Sequence, residues 1–136
     1  MSGWQEKLLS EKLVELDKHI KHRKRVTSLY EGLLKEKDME TMELPDYYDT
    51  VFLRYPVLVK GKNKILSEAK RSRVELGDWF LSPVYPNLSG WEKINYKKGM
   101  CQVAEHICRH AINLPTHQNI TEREINAIVK VISQTQ

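Results

Sequence analysis

Thr50-Val51-Phe52-Leu53-Arg54-Tyr55-Pro56-Val57-Leu58-Val59 is the strongest strand signal in the chain, because β-branched and aromatic side chains fill it. Pro56 has no N–H, which places the run at a sheet edge or at a bulge. Lys60-Gly61-Lys62-Asn63 then turns the chain. Residues 63–72 read as a short helix with Ile65, Leu66 and Ala69 inward and Lys64, Lys70 and Arg71 outward. Arg73 to Trp79 reads as a second strand, and Ala111-Ile112-Asn113-Leu114-Pro115 as a third that ends at its proline. Between them, Met100 to His110 is helical, with Cys101, Ala104, Ile107 or Cys108, and Ala111 at core spacing. Thr121 and Glu124 form a capping box that opens a helix with Ile125, Ile128, Val129 and Ile132 on one face.

Upstream, Asp38 to Asp49 is a polar loop, and Trp4 to Lys37 is one long helix without proline. Two apolar stripes run along that helix. Leu9, Leu13, Leu16, Ile20 and Leu34 form one; Trp4, Leu8, Val26, Leu29, Tyr30 and Leu33 form the other, about a third of a turn away. Such a pair of stripes is either one wide face on a single core or a helix touching two bodies. The expected fold class is α+β, a long N-terminal helix followed by a small, three-stranded, mainly antiparallel sheet covered by helices. A chain of 136 residues suits one structural unit.

Apolar residues are 40% of the chain and charged residues 29%, as in a soluble globular protein. No apolar run approaches the roughly 20 residues of a membrane span, and no apolar leader opens the sequence, so a cytoplasmic location without membrane contact is expected. The net charge of +4 comes from 22 basic and 18 acidic residues that are interspersed. A basic run, Lys21 to Arg25, could meet phosphates, but no second basic stripe supports it. Cys101 and Cys108 lie two helical turns apart, roughly 10 Å, and read as small buried thiols and not as a disulfide. His106 and His110 share a helix face, with Glu105 before them and His117 beyond, but the order is not that of a metalloprotease helix; no metal site is expected. No phosphate-binding glycine loop and no serine nucleophile elbow is present.

Trp79-Phe80-Leu81-Ser82-Pro83-Val84-Tyr85-Pro86 packs three aromatics, two prolines and a hydroxyl into eight residues. The prolines stiffen it into a defined loop, and aromatics on a stiff loop suit a pocket wall or the cap of a small core.

Several segments together resemble the DegT/StrS-type sugar aminotransferases, pyridoxal-phosphate (PLP) enzymes of the aspartate-aminotransferase fold. Leu13 to Ile20, Arg23 and Tyr30 look like the helix that joins their large and small domains. Arg54 to Val59 resembles the first strand of their small domain, and Val74 to Pro83 a strand and loop that approach the active site. Tyr96 to Glu105, Asn113 to His117 and the last helix are similar to their C-terminal signature. The sequence departs from the pattern at Tyr85, where histidine is frequent, and at Gln102 and Gln118, where proline is common.

The resemblance implies a division into residues 1–37, an interdomain-type helix, and 38–136, a small C-terminal domain. The large domain, with the Schiff-base lysine and the cofactor phosphate site, would lie upstream of Met1. No lysine here matches its motif, so the chain alone is expected to hold no cofactor, to carry no catalytic residue and not to transaminate; PLP belongs to the intact parent. In that parent an amino group passes from an amino acid to a keto-sugar nucleotide, feeding polysaccharide biosynthesis. Trp79, Ser82, Tyr85 and His117 are the candidates for the substrate side of the cleft. Through the 4–34 helix the chain is expected to meet a large aminotransferase domain or a second copy of itself. Two alternatives stand beside this: a non-enzymatic interaction module that uses the long helix, and a weak basic nucleic-acid binder.

Overall fold

The computed structural model describes residues 2–45, 47–79, 81–85 and 91–135. Phe80 and Pro86 of the aromatic loop, and residues 87–90 after it, lie outside the described residues. The long helix is two helices, α1 (Gly3–Val14) and α2 (Leu16–Lys35). At Glu15 the N–H turns to the carbonyl of Lys12 (3.2 Å) in a tighter turn, while His19 N–H still bonds the Glu15 carbonyl. Nothing in α1 is buried, so no packing holds the helical ladder in register there. A capping box that the sequence spells as Ser2 and Gln5 starts it.

The rest is β1 (Arg54–Leu58), α3 (Lys62–Arg71), α4 (Gln102–His110), β2 (Ala111–Pro115) and α5 (Glu122–Thr135). The fold is α+β, as expected, but among the described residues the sheet has two antiparallel strands and not three. The run from Arg73 to Trp79 meets β2 at one bridge, Gly77 with Asn113 (2.8 and 2.9 Å). The flanking hydrogen-bonded pairs would be Glu75 with Pro115 and Trp79 with Ala111. Pro115 has no N–H to give, and the Ala111 N–H closes α4 on Ile107, so the ladder stops after one pair. Gly77 is needed at that bridge, because a Cβ there would stand 3.1 Å from Asn113 Cβ and 3.3 Å from Arg54 Nη1.

Pro56 sits opposite Asn113, whose N–H and carbonyl point the other way, toward Gly77. This is a non-hydrogen-bonded pair on an edge strand, where the missing N–H of Pro56 leaves the ladder intact. Tyr55 and Val57 from β1, Ile112 and Leu114 from β2, Ile65 from α3 and Ile125, Ile128, Val129 and Ile132 from α5 form one core. Val26, Tyr30 and Leu34 of α2 close it, with Leu29 and Leu33 half-buried beside them. Both stripes of the long helix thus reach the same core at their C-terminal ends. Their N-terminal ends are uncovered: Trp4 is 71% exposed and Leu13 57%, with Leu8, Leu9 and Leu16 exposed as well. The expected core face of α4 is also corrected. Cys101 and Ile107 are exposed, Cys108 is half-exposed, and the buried residue is Glu105.

Helix α3 ends in a Schellman turn: Val74 N–H bonds the Ala69 carbonyl (2.8 Å) and Arg73 N–H that of Lys70 (3.3 Å). Arg73 takes the left-handed position at φ 55°. A side chain there costs roughly 1–2 kcal/mol, against the extra 0.5–1 kcal/mol of unfolded-chain entropy that glycine brings. Arg73→Gly is therefore expected to raise stability by about 0.5–1 kcal/mol in urea unfolding; an unchanged or lower midpoint would contradict the strain.

Candidate functional site

On the sheet face away from the core, Arg54 is the hub. Its Nη2 donates to Glu75 Oε1 (2.9 Å), and its guanidinium lies 4.9 Å from the centre of the Trp79 ring. The other carboxylate oxygen, Glu75 Oε2, accepts from His117 Nε2 (3.2 Å). The His117 carbonyl in turn accepts from His22 Nε2 on α2 (3.0 Å). Desolvation works against the Glu75 carboxylate, but the hydrogen bonds from Arg54 and then His117 outweigh it and hold its carboxyl below the ordinary glutamate value. The arrangement is a half-exposed polar rim with an aromatic wall, able to bind and orient a polar group laid across Trp79.

Of the four residues singled out from the sequence, two meet here. Trp79 is 48% exposed and shares the Arg54 hub with His117. Ser82 does not join them. Its hydroxyl turns back on Val84, donating to the carbonyl and accepting from the N–H (3.3 Å). It lines a second cleft, with Trp91, Glu105, Cys108 and Arg109. Tyr85 is 90% exposed. Arg54 and Glu75 escaped the sequence reading as site residues. Their only signal was their place on two runs read as strands, which says nothing of which side chains meet.

A second polar network holds α4. Glu105 accepts from Tyr96 Oη (2.7 Å) and from the Gly99 N–H (2.6 Å), and those bonds, in that order, lower its pKa. The Tyr96 hydroxyl is pushed up to about 12, by desolvation and then by Glu105. Lys62, which is buried, donates to the Cys108 carbonyl (2.9 Å) and pairs with Asp78. The rings of His106 and His110 stack with centres 4.2 Å apart, and among the described residues no group of three metal-binding side chains forms.

The basic run of α2 is largely engaged within the chain. Arg23 Nη1 donates to the Leu53 carbonyl (2.7 Å) and to Thr116 Oγ1 (2.6 Å), Lys24 pairs with Asp49, and Arg25 pairs with Glu122. No helix among the described residues is long and apolar enough to cross a membrane.

A family model described as the DegT/DnrJ/EryC1/StrS aminotransferase family matches residues 1–133. No curated protein matches the chain. Among solved structures, an aminotransferase of that description from Brucella abortus is similar at TM-score 0.77 and 20% identity, over 93% of this chain and 33% of that one. S. venezuelae DesV, solved in complex with a ketimine intermediate, is similar at TM-score 0.81 and 16% identity, over 93% of this chain and 34% of that one. The sugar aminotransferase CalS13 from Micromonospora echinospora is similar at TM-score 0.72 and 15% identity, over 91% of this chain and 32% of that one. At these identities the likeness speaks to the fold. The chain spans about a third of the length of the structures it matches.

Proposed function

This chain belongs to the DegT/DnrJ/EryC1/StrS aminotransferase family, and we propose that it serves as the small domain of a PLP-dependent sugar aminotransferase. In this reading residues 1–37 are the arm to a large domain and 38–136 are the domain body. The assembled enzyme passes an amino group from an amino acid to a keto-sugar nucleotide. The observation that carries the reading is the uncovered half of the long helix. Trp4, Leu8, Leu9, Leu13 and Leu16 are exposed on a chain that spans about a third of the aminotransferases it resembles. An apolar face of that kind is stable when another body covers it.

PLP, which the family's aminotransferases use, supplies an electrophilic aldehyde and an electron sink. The described residues do not fit it. The buried amine, Lys62, is held by the Cys108 carbonyl and the Asp78 carboxylate. The other described lysines are exposed or half-exposed. No step of amino transfer is therefore assigned to this chain. Its own residues bind and orient: Trp79 supplies a wall, and Arg54, Glu75 and His117 a polar rim on the side where substrate enters.

The test has two readouts. After incubation with PLP and desalting, the chain is expected to keep no visible-edge absorbance; a stoichiometric band that borohydride fixes to one lysine would show that the chain carries its own cofactor amine. In sedimentation the isolated chain is expected to associate through its uncovered helix, and Leu13→Glu with Leu16→Glu to restore a monomer of unchanged melting temperature. A wild-type monomer at high concentration would remove the docking role. A chain that associates but fails to bind a lysine-bearing aminotransferase large domain would favour the interaction-module reading, which the same exposed helix supports.

A further inference from the structure

Arg73 stands at φ 55°, a left-handed position where glycine carries the lower cost. Strain of this kind collects at sites where a side chain is used. Arg73 lines a cavity between residues 72–75 and the start of α5, and Arg123 lines the same cavity from α5. We propose that this cavity binds a small dicarboxylate, with one carboxylate on each arginine. The proposal stands on these residues and does not rest on the aminotransferase reading.

The cavity encloses about 730 Å³, within the range of small-molecule sites. Ile120 and Ile128 are buried and Val74 is half-buried, so its floor is apolar. Neither Arg73 nor Arg123 has a hydrogen-bond or ion-pair partner among the described residues. Two carboxylates also line the cavity, and both are committed elsewhere. Glu75 accepts from Arg54 and His117, and Glu124 accepts from the Thr121 N–H (2.8 Å) and hydroxyl (2.7 Å). The charges that act on Glu75 are Arg54 and His117, and the one that acts on Glu124 is His117. The two arginines are therefore not neutralised by the carboxylates beside them. The N-terminus of α5 is closed by the same Glu124, so the two guanidinium groups carry the recognition. A guanidinium holds a carboxylate through two parallel N–H···O bonds. Two such forks, one from each wall of a cavity with an apolar floor, match an anion that bears a carboxylate at each end of a short methylene chain.

Glutarate is the probe, titrated by calorimetry into the full chain at constant ionic strength. It is expected to bind one to one with a Kd of about 1 mM, which two charged pairs of ordinary strength give. Arg73→Gly is the deciding variant. It is expected to unfold at higher urea and yet to weaken glutarate binding by about tenfold or more, so the loss cannot come from a damaged fold. Arg123→Gln should weaken binding by about the same factor. Arg123→Lys should weaken it less, because an ammonium keeps the charge without the fork. Lys130→Gln, on α5 but outside this cavity, should leave binding unchanged. Acetate and inorganic phosphate should each bind about tenfold more weakly than glutarate, since neither reaches both forks. Three outcomes overturn the proposal. The first is no saturable binding of glutarate, and the second is binding that survives Arg73→Gly or Arg123→Gln. The third is an equal loss in Lys130→Gln or equally tight binding of phosphate, either of which would mean a diffuse attraction to surface charge.

Discussion

Tyr30→Ala is expected to destabilise the domain by about 3–5 kcal/mol, the usual range for removing a large buried aromatic. The side chain is fully buried where α2 meets the sheet, and its hydroxyl donates to the Pro115 carbonyl (3.1 Å). Its ring lies nearly parallel to that of Tyr55 at 6.1 Å, and Tyr55 meets Phe52 edge-on at 5.3 Å. Truncation therefore opens a cavity at the centre of an aromatic cluster and leaves a buried carbonyl without its donor. Tyr30→Phe isolates the second effect and should lose about 1–2 kcal/mol. Burial first, then Glu75 and Glu124, raise the Tyr30 hydroxyl well above its ordinary 10.0. A group whose folded pKa is raised contributes stability that is complete below pH 10.0 and is lost as pH rises above it. The wild-type protein should accordingly weaken in alkali above that pH, and Tyr30→Phe should weaken less steeply. Urea unfolding as a function of pH reads both; a Tyr30→Ala loss under about 1 kcal/mol would mean that α2 is not part of the core.

Arg23→Ala is expected to lose about 1.5–3 kcal/mol, the range for hydrogen bonds made by a charged group. One guanidinium nitrogen reaches the Leu53 carbonyl and the Thr116 hydroxyl, and the Phe52 carbonyl lies at 3.4 Å. Thr116, accepting from Arg23, places its own proton toward Leu53 (2.7 Å) or Phe52 (2.9 Å). This node ties α2 to the entry of β1 and the exit of β2. Lys24 and Arg25, beside it in sequence, pair with Asp49 and Glu122 at the surface, where such bridges are worth about 0–1 kcal/mol. Lys24→Ala should therefore leave stability nearly unchanged. Equal losses for Arg23→Ala and Lys24→Ala in chemical unfolding would refute the assignment of the node to Arg23.

Helices α3 and α5, strands β1 and β2 and the α5 capping box were legible because each rests on local chemistry. Period-3.6 apolar spacing, β-branched runs and the Thr121–Glu124 pair act within a few residues. The third strand was not legible as a single bridge. Pro115 shows in the sequence, but the other missing donor, the Ala111 N–H, depends on how α4 runs into β2. The burial of Glu105 was equally out of reach, since it follows from the positions of Tyr96 and Gly99.

The candidate site divides in the same way. Trp79 and His117 could be picked from residue type and segment, but only the fold shows that Arg54 and Glu75 link them and that Ser82 faces another cleft. The sequence by itself determined helices α3, α4 and α5, the edge strand with its proline and the class of the fold, though not the break of the long helix at Glu15, because propensity, capping and periodicity act between near neighbours. Tertiary structure decided which charges are engaged, which end of the two apolar stripes is left bare and which side chains share a cleft. Those depend on contacts between residues far apart in the chain, from 21 positions for Arg54 with Glu75 to 97 for Arg25 with Glu122. No local rule carries that information, because the same side chain is a solvated cation or a buried tie according to what the fold sets opposite it.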